Sequence, residues 1–109
     1  MKIKKFLLIF IICLLSIIQK SFADEAKMIK GLEIFNESAG CAACHILKAA
    51  GSEGNIGPNL DTVEGLNYDT VMDIVTHGLG VMPAFGEDEI LTKEQIDIVS
   101  FYVANSAGK

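Results

Sequence analysis

Two cysteines and a histidine stand together at Cys41-Ala42-Ala43-Cys44-His45. A two-residue spacer sets the thiols about one helical turn apart, so both face one side of the chain and can reach the two vinyl groups of a single porphyrin. His45 follows Cys44 directly, and once two thioethers form, its imidazole is carried to the haem face, where a neutral ring nitrogen binds iron. A C-x-x-C pair also serves thioredoxin-like redox sites, zinc sites and plain disulfides. A zinc centre needs four ligands, and the one further histidine is His77; a thioredoxin-like site needs a βαβ pattern that this chain lacks. The spacing points to covalent attachment of one haem c through Cys41 and Cys44, with His45 as an iron ligand.

Such an iron has a second axial position, whose occupant decides between electron transfer and small-molecule chemistry. Met82 lies in Gly80-Val81-Met82-Pro83-Ala84-Phe85-Gly86, a Gly- and Pro-punctuated loop able to hold a thioether against a flat cofactor. Met72 reads as core or surface of a helix. His77 is a harder ligand, but it sits at a helix C-terminus, where the dipole favours an imidazole without any iron. An open sixth position is the remaining alternative.

The elements that must position these groups are helical. Met28, Ile29, Leu32 and Phe35 recur at helical spacing and predict a first helix from Asp24 to about Glu37, with Gly31 and Phe35 on one face. Gly31 costs that helix about 1 kcal/mol relative to Ala, which implies a close neighbour. Residues 49–59 form a loop rich in Gly, Ser, Asn and Pro. A second helix is predicted from Tyr68 to Thr76 with Asn67 as cap, and Gly78, Gly80, Pro83 and Gly86 then impose an irregular strap. Thr92 and Gln95 form a capping-box pattern opening a last helix to about Asn105, with Ile96, Val99, Tyr102 and Val103 inward. No convincing strand, repeat or second domain is read.

The N-terminus reads as a targeting segment. Lys2, Lys4 and Lys5 precede an apolar run from Phe6 to Ile18, and Ser21-Phe22-Ala23 offers small residues for cleavage after Ala23. The expectation is a signal peptide over residues 1–23, a domain over 24–109 and a periplasmic product. The apolar run is shorter than the roughly 20 residues a spanning helix needs, which argues against a retained anchor or stable membrane insertion after cleavage. Cleavage removes Lys2, Lys4, Lys5 and Lys20, leaving five basic residues against 14 acidic ones, a net of −9. Such a charge argues against a nucleic-acid surface and for redox partners with a basic docking patch. A domain this small gains from a covalent staple.

The motifs, taken in order, resemble a small soluble class I cytochrome c with one haem. The resemblance rests on Gly31 and Phe35, Cys41-Ala42-Ala43-Cys44-His45, Gly57-Pro58-Asn59-Leu60, Met82-Pro83-Ala84-Phe85-Gly86, Leu91-Thr92 and Tyr102-Val103. It implies an all-α class I cytochrome c fold, with three to four helices and connecting loops around one covalently bound haem. It further implies iron ligation by His45 and Met82, a Pro58 carbonyl accepting the other imidazole N–H, Leu60 and Phe85 lining the haem pocket, and contact between the first and last helices at Gly31, Phe35, Val99 and Tyr102. The chain has no Arg and no Trp, so haem propionates must find Lys, Asn, Tyr or backbone N–H partners.

The function expected is a monomeric one-electron carrier between redox proteins, not an enzyme. The alternative is a cytochrome subunit bound tightly to a dehydrogenase or sulfur-oxidising complex. A gas-binding or peroxidase-like haem protein is a third reading, which requires an open or displaceable sixth ligand.

Overall fold

The computed structural model describes residues 2–109 and holds three α-helices: α1 (Lys2–Glu33), α2 (Tyr68–His77) and α3 (Lys93–Ser106). The first helix begins far upstream of Asp24. From Lys2 to Lys30 the chain carries neither Gly nor Pro, so nothing interrupts helical hydrogen bonding between the apolar run and the domain. Residues 2–26 are exposed, and burial begins around Lys27. By length and composition alone, α1 is apolar enough to cross a membrane, with a mean hydropathy of 2.3 over its most apolar window.

Beyond Glu33 the helix widens into one π turn, Ile34–Ser38, closed by the Ala39 N–H donating to the Ile34 carbonyl at 2.9 Å. The extra residue in that turn lets Ile34 and Phe35, adjacent in sequence, both become buried, at 0% and 1% exposure. Phe35 meets Tyr102 of α3 with ring centroids 6.0 Å apart and planes tilted by 57°. Gly31 is buried where α1 crosses α3, and a Cβ there would overlap the Cβ of Tyr102. Only glycine permits that approach.

A second helix forms because Asn67 accepts from the Thr70 N–H at 3.0 Å, and its apolar side buries Val71 and Val75. The third has a complete capping box between Thr92 and Gln95 and buries Ile96, Val99, Tyr102 and Val103. Lys27, Tyr68 and Asp97 tie the three helices together: Lys27 Nζ lies 2.8 Å from Asp97 Oδ2, and the Tyr68 hydroxyl donates to Asp97 Oδ1 at 2.5 Å. The Lys27 ammonium also stands 4.8 Å from the Phe101 ring centroid.

One departure from the strand-free reading is a short antiparallel ladder, β1 (Ile46–Leu47) with β2 (Ser52–Glu53), pairing Ile46 with Glu53 and Leu47 with Ser52. Local chemistry makes it. A 3₁₀ turn over Lys48–Ala50 ends at Gly51 with φ 66°, and the Ser52 hydroxyl both accepts from the Leu47 N–H at 2.9 Å and donates to the His45 carbonyl at 2.8 Å. This ladder follows directly on the Cys41–His45 motif and stiffens it.

Candidate haem site

Cys41–Ala43 forms a single 3₁₀ turn started by Gly40 at φ 68°. Its carbonyls and amides turn inward on themselves, with the His45 N–H donating to the Cys41 carbonyl at 2.9 Å. Both thiols are free and partly buried. Burial pushes the Cys41 thiol up to about 11, so it stays protonated at neutral pH.

His45 is held from the loop that follows. Its Nδ1 lies 2.8 Å from the Pro58 carbonyl oxygen, which can only accept, so Nδ1 carries the proton and Nε2 is left with a lone pair for a metal. The Gly57 N–H donates to the Cys44 carbonyl at 2.7 Å and the Leu60 N–H to the Ile46 carbonyl at 3.0 Å, so residues 57–60 run hydrogen-bonded beside the motif. Asp61 locks the end of this segment. Its Oδ2 accepts from the Lys48 N–H and its Oδ1 from the Gly108 N–H, each at 2.9 Å, and these two amides hold its carboxyl below the usual carboxylate range.

Met82 sits on the strap after α2. Gly78 (φ 75°) and Gly80 (φ 59°) turn the chain, and Leu79 and Met82 exchange backbone hydrogen bonds of 3.3 and 3.0 Å. A Cβ on Gly78 would lie 2.7 Å from the Met82 carbonyl oxygen, so glycine is needed there for space as well as for φ. The strap is fastened to α2 by Phe85 N–H to Val75 O at 2.9 Å and by the amides of Gly86 and Glu87 to Thr76 O at 3.2 and 3.1 Å. His77 and Glu87 close its neck, with Nδ1 2.5 Å from Oε1, while Asp73 Oδ1 lies 3.6 Å from Nε2. The Glu87 hydrogen bond, aided by the charges of Glu87 and Asp73, raises the His77 pKa above 6.5.

These pieces enclose one cavity of about 630 Å³, lined by Cys41, Cys44, His45, Pro58, Leu60, Met82 and Phe85 together with Phe35, Val71, Val75 and Val99. Every site residue read from the sequence lines it. His77 and Met72 do not: His77 is engaged at the strap neck, and Met72 packs partly buried against the core. Apart from His45 and the two thiols, the wall is made of apolar side chains and backbone. A broad, flat, apolar macrocycle fits such a chamber, whose lining includes two thiols, an imidazole and a thioether. Sequence reasoning missed the Ser52 and Asp61 clamps, whose partners are distant or backbone groups with no residue signature.

Comparison with known proteins places the chain in a family. The family model described as cytochrome c oxidase, cbb3-type, subunit III, matches residues 26–103. The chain is a class I c-type cytochrome. The cytochrome is 34% identical over 97 residues to cytochrome c6 of Gloeothece citriformis (strain PCC 7424), covering 84% of this chain and 81% of that one. It is 39% identical over 98 residues to the cbb3-type cytochrome c oxidase subunit CcoP of Azospirillum sp. (strain B510), a match covering 75% of this chain and only 31% of the subunit's length. The solved c-type cytochrome SorU from Sinorhizobium meliloti superposes with a TM-score of 0.71 at 45% identity, over 78% of this chain and 95% of that one. Membership implies covalently bound haem c, and Cys41 and Cys44 occupy the attachment motif of this cytochrome.

Proposed function

We propose that the cytochrome is a one-electron carrier in which His45 and Met82 are the axial ligands of the haem iron. The observation that carries this reading is the pairing of two independently fastened donors on one apolar cavity: His45 fixed by Pro58, and Met82 on a strap bonded to α2. The haem supplies a reversible ferric/ferrous couple, and thioether ligation raises its potential. Phe35, Leu60, Val71 and Phe85 exclude water around the metal, and the rigid fastening of both donors limits rearrangement when the charge changes. Ile56, Leu79 and Val81 line the cavity and are exposed, Val81 to 91%, giving a small apolar rim for brief contacts with a partner. Pro58 acts through His45, and Leu60 and Phe85 by lining the pocket.

The N-terminal reading completes the proposal: residues 1–23 direct export and are cleaved, and residues 24–109 act in the periplasm as a monomer of net charge −9. A basic patch on the redox partner complements that charge, so electron-transfer rates fall as salt rises. The match to an oxidase subunit favours keeping a second reading, in which the cytochrome is a tightly bound subunit of a larger redox complex, whether an oxidase, a dehydrogenase or a sulfur-oxidising enzyme.

Absorption spectra of purified holoprotein test the ligand set. The parent is expected to show the weak thioether-to-ferric-iron band, Met82→Ala to lose it, and His77→Ala to keep it; a band that survives Met82→Ala overturns the assignment. Mass spectrometry of the secreted protein reads the cleavage site, and co-purification with one large subunit replaces the carrier by the second reading.

A further inference from the structure

The segment from Gly54 to Pro58 meets the haem-attachment turn through two glycines that make different contacts. A Cβ on Gly54 would lie 2.6 Å from the carbonyl carbon and oxygen of Ala43 and 2.7 Å from the Ala42 oxygen, so Gly54 packs on backbone. A Cβ on Gly57 would lie 2.6 Å from Cε1, 2.9 Å from Nδ1 and 3.1 Å from Nε2 of His45. Neither glycine has a positive φ, so each is required for space and not for backbone freedom. At Gly57 the two nitrogens are scarcely farther away than the carbon they flank. Contact in the plane of the ring would leave them well beyond Cε1, so the direction in which a side chain at Gly57 would project, and in which its Hα points, meets the face of the imidazole.

We propose that Gly57 is a positioning residue for His45 that sets the rotation of the imidazole ring. The inference rests on His45 being an iron ligand and adds what fixes its plane. The hydrogen bond from Nδ1 to the Pro58 oxygen, 2.8 Å long, holds one point of the ring but leaves it free to turn about the N–H···O axis. The Hα of Gly57, directed at the ring face where any side chain would collide, limits that rotation. Gly57 is itself anchored by its N–H to the Cys44 carbonyl at 2.7 Å, one residue before the ring it touches, so ring and restraint move together. Any side chain at position 57 would have to push the imidazole aside. The ring's rotation sets which iron d orbital its π system overlaps, so the ferric iron's magnetic axes follow Gly57.

The test compares Gly57→Ala with Gly54→Ala, both as holoprotein with haem covalently attached. Gly57→Ala is expected to shift the ferric electron paramagnetic resonance g values and to rearrange the paramagnetic shifts of the haem methyl protons. Gly54→Ala, equally crowded but away from the ring, is expected to lower the melting temperature while leaving both spectra like the parent. Parent-like spectra for Gly57→Ala overturn the proposal, as does an equal disturbance from Gly54→Ala. Should Gly57→Ala fail to mature, the reduced parent decides: a cross-relaxation peak between Gly57 Hα and His45 Hε1 is expected, and its absence overturns the proposal. If the parent's His45 ring protons show no porphyrin ring-current shift, the ligand assignment itself has failed, and that is seen before any variant is made.

Discussion

Tyr102 occupies the space that a side chain at Gly31 would need, its Cγ 2.9 Å from the position of such a Cβ. Two effects oppose each other in Gly31→Ala. Helix propensity gains about 1 kcal/mol, while forcing a methyl into the rigid stem of Tyr102 costs about 1–3 kcal/mol. The overlap falls on backbone-proximal atoms that cannot swing away, so the upper part of that range applies and the net is a loss of about 1–2 kcal/mol. Denaturant melts of the holoprotein check it; a stability equal to or above the parent's would mean that α1 and α3 can separate without loss.

The His77–Glu87 pair at the strap neck predicts a pH dependence with a definite sign. Its carboxylate partners raise the folded-state pKa of His77 above 6.5. The pair's contribution is therefore complete below 6.5 and is lost as pH rises through the higher folded value. His77→Gln is expected to be less stable than the parent in mild acid, with the gap closing above neutrality, and to be the more tolerant of rising pH. Melts across this range supply the reading, and a gap that does not vary with pH would show that the pair contributes nothing.

Asp61 has the opposite sign. Hydrogen bonds from Gly108 and Lys48 lower its pKa below 3.8, so its contribution is present above 3.8 and is lost as pH falls through the lower folded value. Asp61→Asn is expected to destabilise at neutral pH and to converge with the parent in strong acid. Amide hydrogen exchange should rise at Lys48 and Gly108 together; faster exchange at only one of them would mean that the carboxylate does not couple the two segments.

Ser100 is fully buried in α3 and, among the described residues, its hydroxyl has no hydrogen-bond partner. Ser100→Ala removes an unsatisfied polar group at little cost in volume and improves helix propensity, so a gain of up to about 1 kcal/mol is expected. A loss exceeding about 1 kcal/mol in a thermal melt would show that the hydroxyl has a partner in solution.

What could be read from the sequence was local. Cys41, Cys44 and His45 lie within five residues, and their spacing is their chemistry. Asn67 and the Thr92–Gln95 box announce helix starts because a cap acts on amides two or three positions ahead. The upstream extension of α1 escaped because a continuous apolar run carries no helical periodicity, and the π turn escaped because it changes register without any residue marker. Residues 49–59 read as a loop without periodicity, with the role of Pro58 supplied by the family resemblance, and the short strand and two close-packed glycines within it went unread. Its order comes from Ser52, Asp61 and backbone partners, none of which leaves a periodic trace. His77 read as a simple helix-end imidazole because Glu87 is ten residues away across the strap.

The Asp61–Gly108 hydrogen bond joins residues 47 positions apart, and a chain that emerges from its N-terminus makes Asp61 long before Gly108. During that interval the carboxylate lacks one of its two amide partners, and α3 has not yet arrived to supply Val99 and Val103 to the chamber wall. Cys41 and Cys44 are thus presented on a loop still missing its final latch, in a chamber still open on one side. The Asp61–Gly108 bond forms only on a chain that has been made through its last helix, so it reports completion of the fold around the chamber.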